Sequence, residues 1–128
     1  MIVAGIGCRR NIAAAEVEAA IEAALRELLV TAGSLSLIAI PSVKAGESGI
    51  FAAAAARGVG LVLIPQSALE AVSERTLTRS AHSMASMNVH SVAEAAALAG
   101  AGATGRLLGP RVATGPVTCA LARREALQ

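Results

Sequence analysis

The sequence predicts an α/β protein, a three-layer α/β/α arrangement around a mixed, mostly parallel five-stranded sheet. Three observations carry that prediction. Apolar runs at 2–6, 35–40 and 61–64 alternate with helical patterns, as parallel βαβ units do. The first and third of these runs lack polar alternation, which marks strands buried on both faces. Two strand-like segments, Arg106–Gly109 and Pro116–Arg123, then follow one another across a Gly/Pro-containing turn, adding at least one antiparallel strand. Right-handed crossovers place helices on both faces of such a sheet.

Each element has its own signal. Met1–Gly5 reads as a first strand inside the sheet, and Gly5-Ile6-Gly7 as the tight turn that leaves it. An amphipathic helix runs from about Ala13 to Val30, with Val17, Ile21, Ala24, Leu25 and Leu28 on one face. Glu22 and Arg26 form a favourably ordered i,i+4 pair on its polar side. Asn11 either caps this helix or takes a left-handed turn, and Gly33 is its C-terminal glycine. Leu35–Ile40 is the second strand, ended by Pro41, and a polar turn at 42–49 precedes an alanine-rich helix at about 50–57. Gly58 and Gly60 close that helix, and Leu61–Ile64 is the third strand. Ser67 with Glu70 and Ser91 with Glu94 match capping boxes, opening helices to about Val72 and Ala99. Residues 73–90 carry little periodicity beyond one or two helical turns around Glu74–Arg79.

A chain of 128 residues is the size of one domain, here taken as 1–128. Hydrophobic residues make up 55%, but no apolar run approaches the ~20 residues that span a membrane, and no secretory leader is evident. A net charge of +2, one Phe and no Tyr or Trp argue against nucleic-acid binding, which draws on basic patches and stacking platforms. Two cysteines make no disulfide framework, so a reducing cytoplasm is expected.

The chemistry-bearing residues point in several directions. Gly100-Ala-Gly-Ala-Thr-Gly105 spells a dinucleotide fingerprint, but it follows a helix and precedes a strand, the reverse of the order that motif needs. Gly5-Ile6-Gly7 has the strand–turn–helix context but lacks the third glycine. Cys8, beside Arg9 and Arg10 at a helix start, has the surroundings that lower a thiol pKa. Its simpler role is a small buried thiol, because nothing in the spacing brings His82 or His90 near it. Cys119 fits an interior strand. Cys8, His82, His90 and Cys119 show no paired metal-ligand spacing, so neither a metal nor another cofactor is expected. Lys44 and Glu47 are either a solvated ion pair or an acid/base pair. Ligands of α/β sheets bind beyond the carboxyl ends of the strands. Residues 7–11, 42–49 and the loop before Ser91 converge on that edge. They offer Arg9, Arg10, Lys44 and two helix N-termini, a cationic rim suited to a ligand with several carboxylates.

Gly-Ile-Gly-Cys-Arg-Arg at 5–10, Lys44 and Glu47 before a helix, Ser-Val-Ala-Glu-Ala-Ala-Ala-Leu at 91–98, and the closing Gly115, Thr118 and Ala122-Arg123 form a set. Together they resemble the CobE / CbiG C-terminal family of cobalamin-biosynthesis proteins over nearly the whole chain. The resemblance implies a corrin-ring (precorrin) intermediate as ligand and the pathway's methyltransferases as partners. It implies ligand contacts from Gly5, Gly7, Cys8, Arg9 and Arg10, from Lys44 and Glu47, and from Ser91, Glu94 and Thr118. It also favours Lys44 and Glu47 as acid/base candidates for opening a precorrin lactone, as CbiG proteins do. CbiG proteins carry further sequence ahead of this region, whereas this chain starts at the motif, as CobE proteins do. After the paired arginines the family often has Gly and a small hydroxyl residue, where this chain has Asn11-Ile12-Ala13. A generic phosphate or nucleotide binder is the remaining alternative.

Overall fold

The computed structural model describes residues 1–124. Strands β1 (Ile2–Cys8), β2 (Leu35–Pro41) and β3 (Gly60–Ile64) alternate with helices α1 (Ala14–Glu27), α2 (Ser48–Arg57) and α3 (Gln66–Ala71). Helices α4 (Ala81–Met87) and α5 (Val92–Ala101) follow, then strands β4 (Gly105–Leu107), β5 (Val112–Thr114) and β6 (Val117–Arg124). The sheet order is β3-β2-β1-β6-β4, with β5 also on β6. The pairs β1–β2 and β2–β3 are parallel, while every pair made by β6 is antiparallel. The expected α/β/α architecture and the interior position of the first strand are both found.

The fifth expected strand is divided in two. Residues 105–107 pair with 124–122 and residues 112–114 with 119–117, so 108–111 face only 120 and 121. Two extra residues, in a stretch containing Gly109-Pro110, make a bulge that Pro110 enforces by lacking an amide proton. The count of six strands rather than five follows from it.

The two faces of the sheet differ in residue size. Ile2, Ile6, Ile38, Ile40 and Leu121 pack with Val17, Ile21 and Leu25 of α1 and Ile50 of α2. The opposite face presents Val3, Ala39, Ala120 and Ala122 to the alanines of α5. Gly5 and Gly7 belong to this second face and lie within the strand, not in a turn as the sequence suggested. Gly5 is paired on both edges, with Ala39 and Ala120, and Gly7 with Thr118 of β6, which holds this part of β1 extended. A Cβ at Gly5 would collide with the Ala93 carbonyl and the Ala97 amide, and one at Gly7 would lie 2.8 Å from Thr118 Oγ1. Gly5 lets α5 lie directly on β1, and Gly7 leaves room for the Thr118 hydroxyl.

Other expectations need correction. The first helix ends at Glu27, and Gly33 lies in a 3-10 turn at Ala32–Ser34. The helix is closed by Val30 N–H on Leu25 O (2.8 Å) and Leu29 N–H on Arg26 O (3.3 Å), a Schellman motif with Leu29 left-handed at φ 58°. The same pair of bonds closes α2, with Gly58 in the equivalent place. Glu22 pairs across to Arg57 of α2, which Glu18 also holds at 3.1 Å, so the partner of Glu22 lies on the next helix. Strand β3 is an edge strand with Leu63 41% exposed, not one buried on both faces. Ser67 does not cap α3, because Pro65 takes the N-cap position and Gln66 instead bonds Glu70 Oε2 (2.8 Å) and Met87 O (2.6 Å). Ser91 does cap α5, accepting from Glu94 N–H at 3.4 Å, but the Glu94 side chain does not return the bond. Helix α4, capped by Ser80, was hidden in the unperiodic stretch. Asn11 takes the left-handed option at φ 57°.

Two substitutions test this packing. Gly5→Ala should destabilise by about 3 kcal/mol or more, beyond ordinary overpacking because backbone atoms block the added carbon; a denaturant midpoint equal to that of the unmodified protein would contradict it. Leu29→Gly should act oppositely. The Leu29 side chain is 92% exposed, so little packing is lost. Relief of left-handed strain, partly offset by greater freedom of the unfolded chain, should leave a gain of about 0.5–1 kcal/mol in the same assay.

Candidate functional site

A cavity of about 430 Å³ opens beyond the carboxyl ends of β1 and β2. Gly7, Cys8 and Arg9 form its base with Thr118, whose hydroxyl donates to Gly7 O at 3.3 Å. The Arg9 amide donates to Pro116 O at 3.2 Å, which fixes where the arginine leaves the sheet. Pro41 and Lys44 make one wall, Arg111 and Pro116 another. Helix α4 covers the remainder with Ser80, His82, Ser83, Ser86 and Met87.

Of the residues singled out in the sequence, Gly7, Cys8, Arg9, Lys44 and Thr118 line this space. Arg10 is exposed beside it. Gly5 lies beneath α5, and Ser91 is a buried cap. Glu47 Oε1 accepts from the Ile12 amide at 3.3 Å, tying the loop before α1 to the start of α2. No ion pair joins Lys44 and Glu47 among the described residues. The cavity does gather residues that spacing could not connect, since His82 and Cys8 share it. Sequence reasoning missed Arg111 and the serines of α4. The signals available were Pro110-Arg111 between the last strands and Ser80 as a cap.

Cys8 is not activated. Burial pushes its thiol above the ordinary value; the charge of Lys44 opposes that rise and Glu47 adds to it. The helix-start setting expected from the sequence is also absent, because Cys8 ends a strand. Cys119 is wholly buried, and burial pushes its thiol up to about 12. Among the described residues no cluster of His, Cys and Glu is arranged to hold a metal ion, and no helix is long and apolar enough to cross a membrane.

Glu94 is fully buried yet does not touch the cavity. Its Oε1 accepts from the amides of Leu77 (2.6 Å) and Thr78 (3.0 Å), and its Oε2 from the Thr78 hydroxyl (2.6 Å) and the Arg111 amide (2.9 Å). Burial acts to raise its pKa, but the Thr78 hydroxyl and the amides of Arg111, Thr78 and Leu77 together lower it below the ordinary carboxylate value. The carboxylate therefore fastens α5 to the segment entering α4 and to the bulge that carries Arg111. The cavity's charge is one-sided. Arg9, Lys44 and Arg111 line it, no carboxylate does, and none of the three makes an ion pair to another described residue.

Comparison with known proteins bears on this site. Residues 2–122 match the family model described as cobalamin synthesis G C-terminus. A curated relative, protein CobE of Sinorhizobium sp, is 37% identical over 121 residues, covering 94% of this chain and 79% of that protein. The crystal structure of CobE, a protein from the cobalamin (vitamin B12) biosynthetic pathway, superposes with a TM-score of 0.90 at 32% identity over 96% of this chain and 89% of the other. Cobalamin biosynthesis protein chiG from Agrobacterium tumefaciens str. C58 gives a TM-score of 0.79 at 41% identity over 98% of this chain and all (100%) of that one.

The Glu94 linkage has a pH signature. A folded-state pKa below the unfolded one means the contribution is present at pH above the unfolded value and is lost as pH falls through the folded one. Glu94→Gln should cost about 2–4 kcal/mol near neutral pH, since an amide cannot accept all these donors. The gap to the unmodified protein should narrow in urea melts run at about pH 3. An equal gap at both pH values would show that the ionised carboxylate is not the stabilising form.

Proposed function

Because this chain belongs to the cobalamin-synthesis G C-terminal family and to the cobalamin-biosynthesis pathway, we propose that its cavity binds a corrin-ring (precorrin) intermediate. The observation that carries this reading is the cavity lined by three cations without a carboxylate. Corrin intermediates present acetate and propionate arms around an apolar ring, and arginine meets a carboxylate with two parallel charge-assisted bonds. The volume is at the lower end of the range of about 300–1,000 Å³ usual for small-molecule sites. It suits one edge of the macrocycle, with the rest lying across the mouth. Arg10, exposed beside that mouth, would reach an outer arm. An open site of this kind fits handing the intermediate to the pathway's methyltransferases. Two free thiols fit action in the reducing cytoplasm.

Binding is better supported than lactone hydrolysis by Lys44 and Glu47. The Glu47 carboxylate is engaged with the Ile12 amide and does not line the cavity, so only Lys44 of that pair faces a ligand.

A visible-absorbance titration with a corrinoid polycarboxylate tests the proposal. Arg9→Ala should weaken binding by about three- to tenfold, a sheltered charge-assisted bond discounted for the exposure of Arg9. Arg123→Ala should have no effect, since Arg123 pairs with Ile2 at the opposite end of the sheet from Cys8. Added salt should weaken binding of the unmodified protein. Equal affinities of the two variants, with no salt effect, would move the site elsewhere.

A further inference from the structure

We propose that Arg111 is a specificity-determining residue, binding one carboxylate arm of the ligand on the far side of the cavity from Lys44. This rests on the corrin-binding reading and extends it to which arms must be free acids. Arg111 is half-buried and lines the cavity, and its guanidinium has no hydrogen-bond or ion-pair partner among the described residues. A sheltered guanidinium with five donors and no acceptor is a site awaiting an anion.

Its place in the sheet sets the geometry. Lys44 follows β2, while Arg111 precedes β5, and β1 and β6 run between them. Three strand spacings, about 14 Å, separate β2 from β5 across the sheet, and Arg111, one residue before Val112 at the level of Ile6, starts lower along the strands than Lys44 beyond the end of β2. Arg9 leaves the sheet from β1, between them. A single phosphate meets one of these cations, whereas a broad molecule with carboxylates on several sides of its ring meets all three. The bulge that carries Arg111 cannot drift, because its amide is bonded to the buried Glu94 carboxylate at 2.9 Å. The residue is thus held in place by its backbone and left free by its side chain. Glu94 is a positioning residue in this scheme and makes no ligand contact of its own.

The test uses the purified full chain and two soluble probes. Dicyanocobyrinic acid carries its arms as carboxylates; dicyanocobinamide carries them as neutral amides on the same ring. Cyanide fills both axial positions in each probe, so the cobalt is equally blocked in both. The unmodified chain should prefer the acid. Arg111→Gln should reduce that preference at least about tenfold with an unchanged thermal midpoint, and Arg111→Lys should restore part of it, charge without the bidentate fork. Full acid preference in Arg111→Gln, or equal loss of affinity for both probes, overturns the assignment while leaving a corrin site. Failure of the unmodified chain to bind either probe overturns the corrin reading itself, and the assignment with it.

Discussion

The architecture depends on how closely α5 lies on β1. Gly5 and Gly7 present no side chain to it, Ala39, Ala120 and Ala122 keep the surrounding strands low, and the helix answers with alanines. Where Gly100 meets the sheet, an added Cβ would lie 2.8 Å from that of Ala39, so the approach is tight at both ends of the helix. Interiors packed to this density do not yield continuously, so the position of α5 is set to within fractions of an ångström. Placing the helix places Glu94 in its first turn, and Glu94 grips the loop leading to α4 and the bulge before β5. The cavity walls are thereby referred to one helix and, through Gly5, to the central strand.

Much of this was legible in the sequence, and the reasons for what was not are physical. Strand positions came through because apolar runs of four to seven residues bounded by Pro or Gly have few other readings. The segment Gly5-Ile6-Gly7 misled because glycine marks both turns and close approaches, and only the partner α5, nearly ninety residues away, tells them apart. The end of α1 misled for the converse reason. A leucine stands where glycine is usual, and the Schellman bonds, with Val30 packed by Leu25, hold it there despite the strain. At Ser91–Glu94 the cap was right and the reciprocal bond was not, since Glu94 finds four donors from elsewhere that no local pattern announces.

The candidate site was legible by half. Residues at the ends of β1 and β2 were found because strand ends are where α/β sheets bind ligands. Arg111 was missed because its membership depends on the return of β6 alongside β1 and on the bulge that turns residue 111 out of the ladder, and α4 because the segment entering it is held by Glu94 of the following helix. Pro110 marks the bulge locally, but nothing near residue 111 announces the return of β6 beside β1. Arg10 and Glu47 show the limit of motif positions. One stands just outside the cavity and the other serves the loop before α1.

The distribution of acids completes the electrostatic argument. The chain has nine Glu and no Asp. Several of these carboxylates are committed within the protein. Glu16 caps Ala13, Glu18 and Glu22 hold Arg57, Glu74 meets His90, and Glu47 and Glu94 hold backbone amides. Among the described residues none forms an ion pair with Arg9, Lys44 or Arg111. A protein built only for stability would pair such cations or exchange them for neutral residues, since like charges round one cavity repel. Keeping them uncompensated costs some folding free energy and leaves the site charged before the ligand arrives. A polycarboxylate entering it then finds its counter-charges without first breaking ion pairs, and preorganisation of that kind is how a shallow site holds a large, well-hydrated anion.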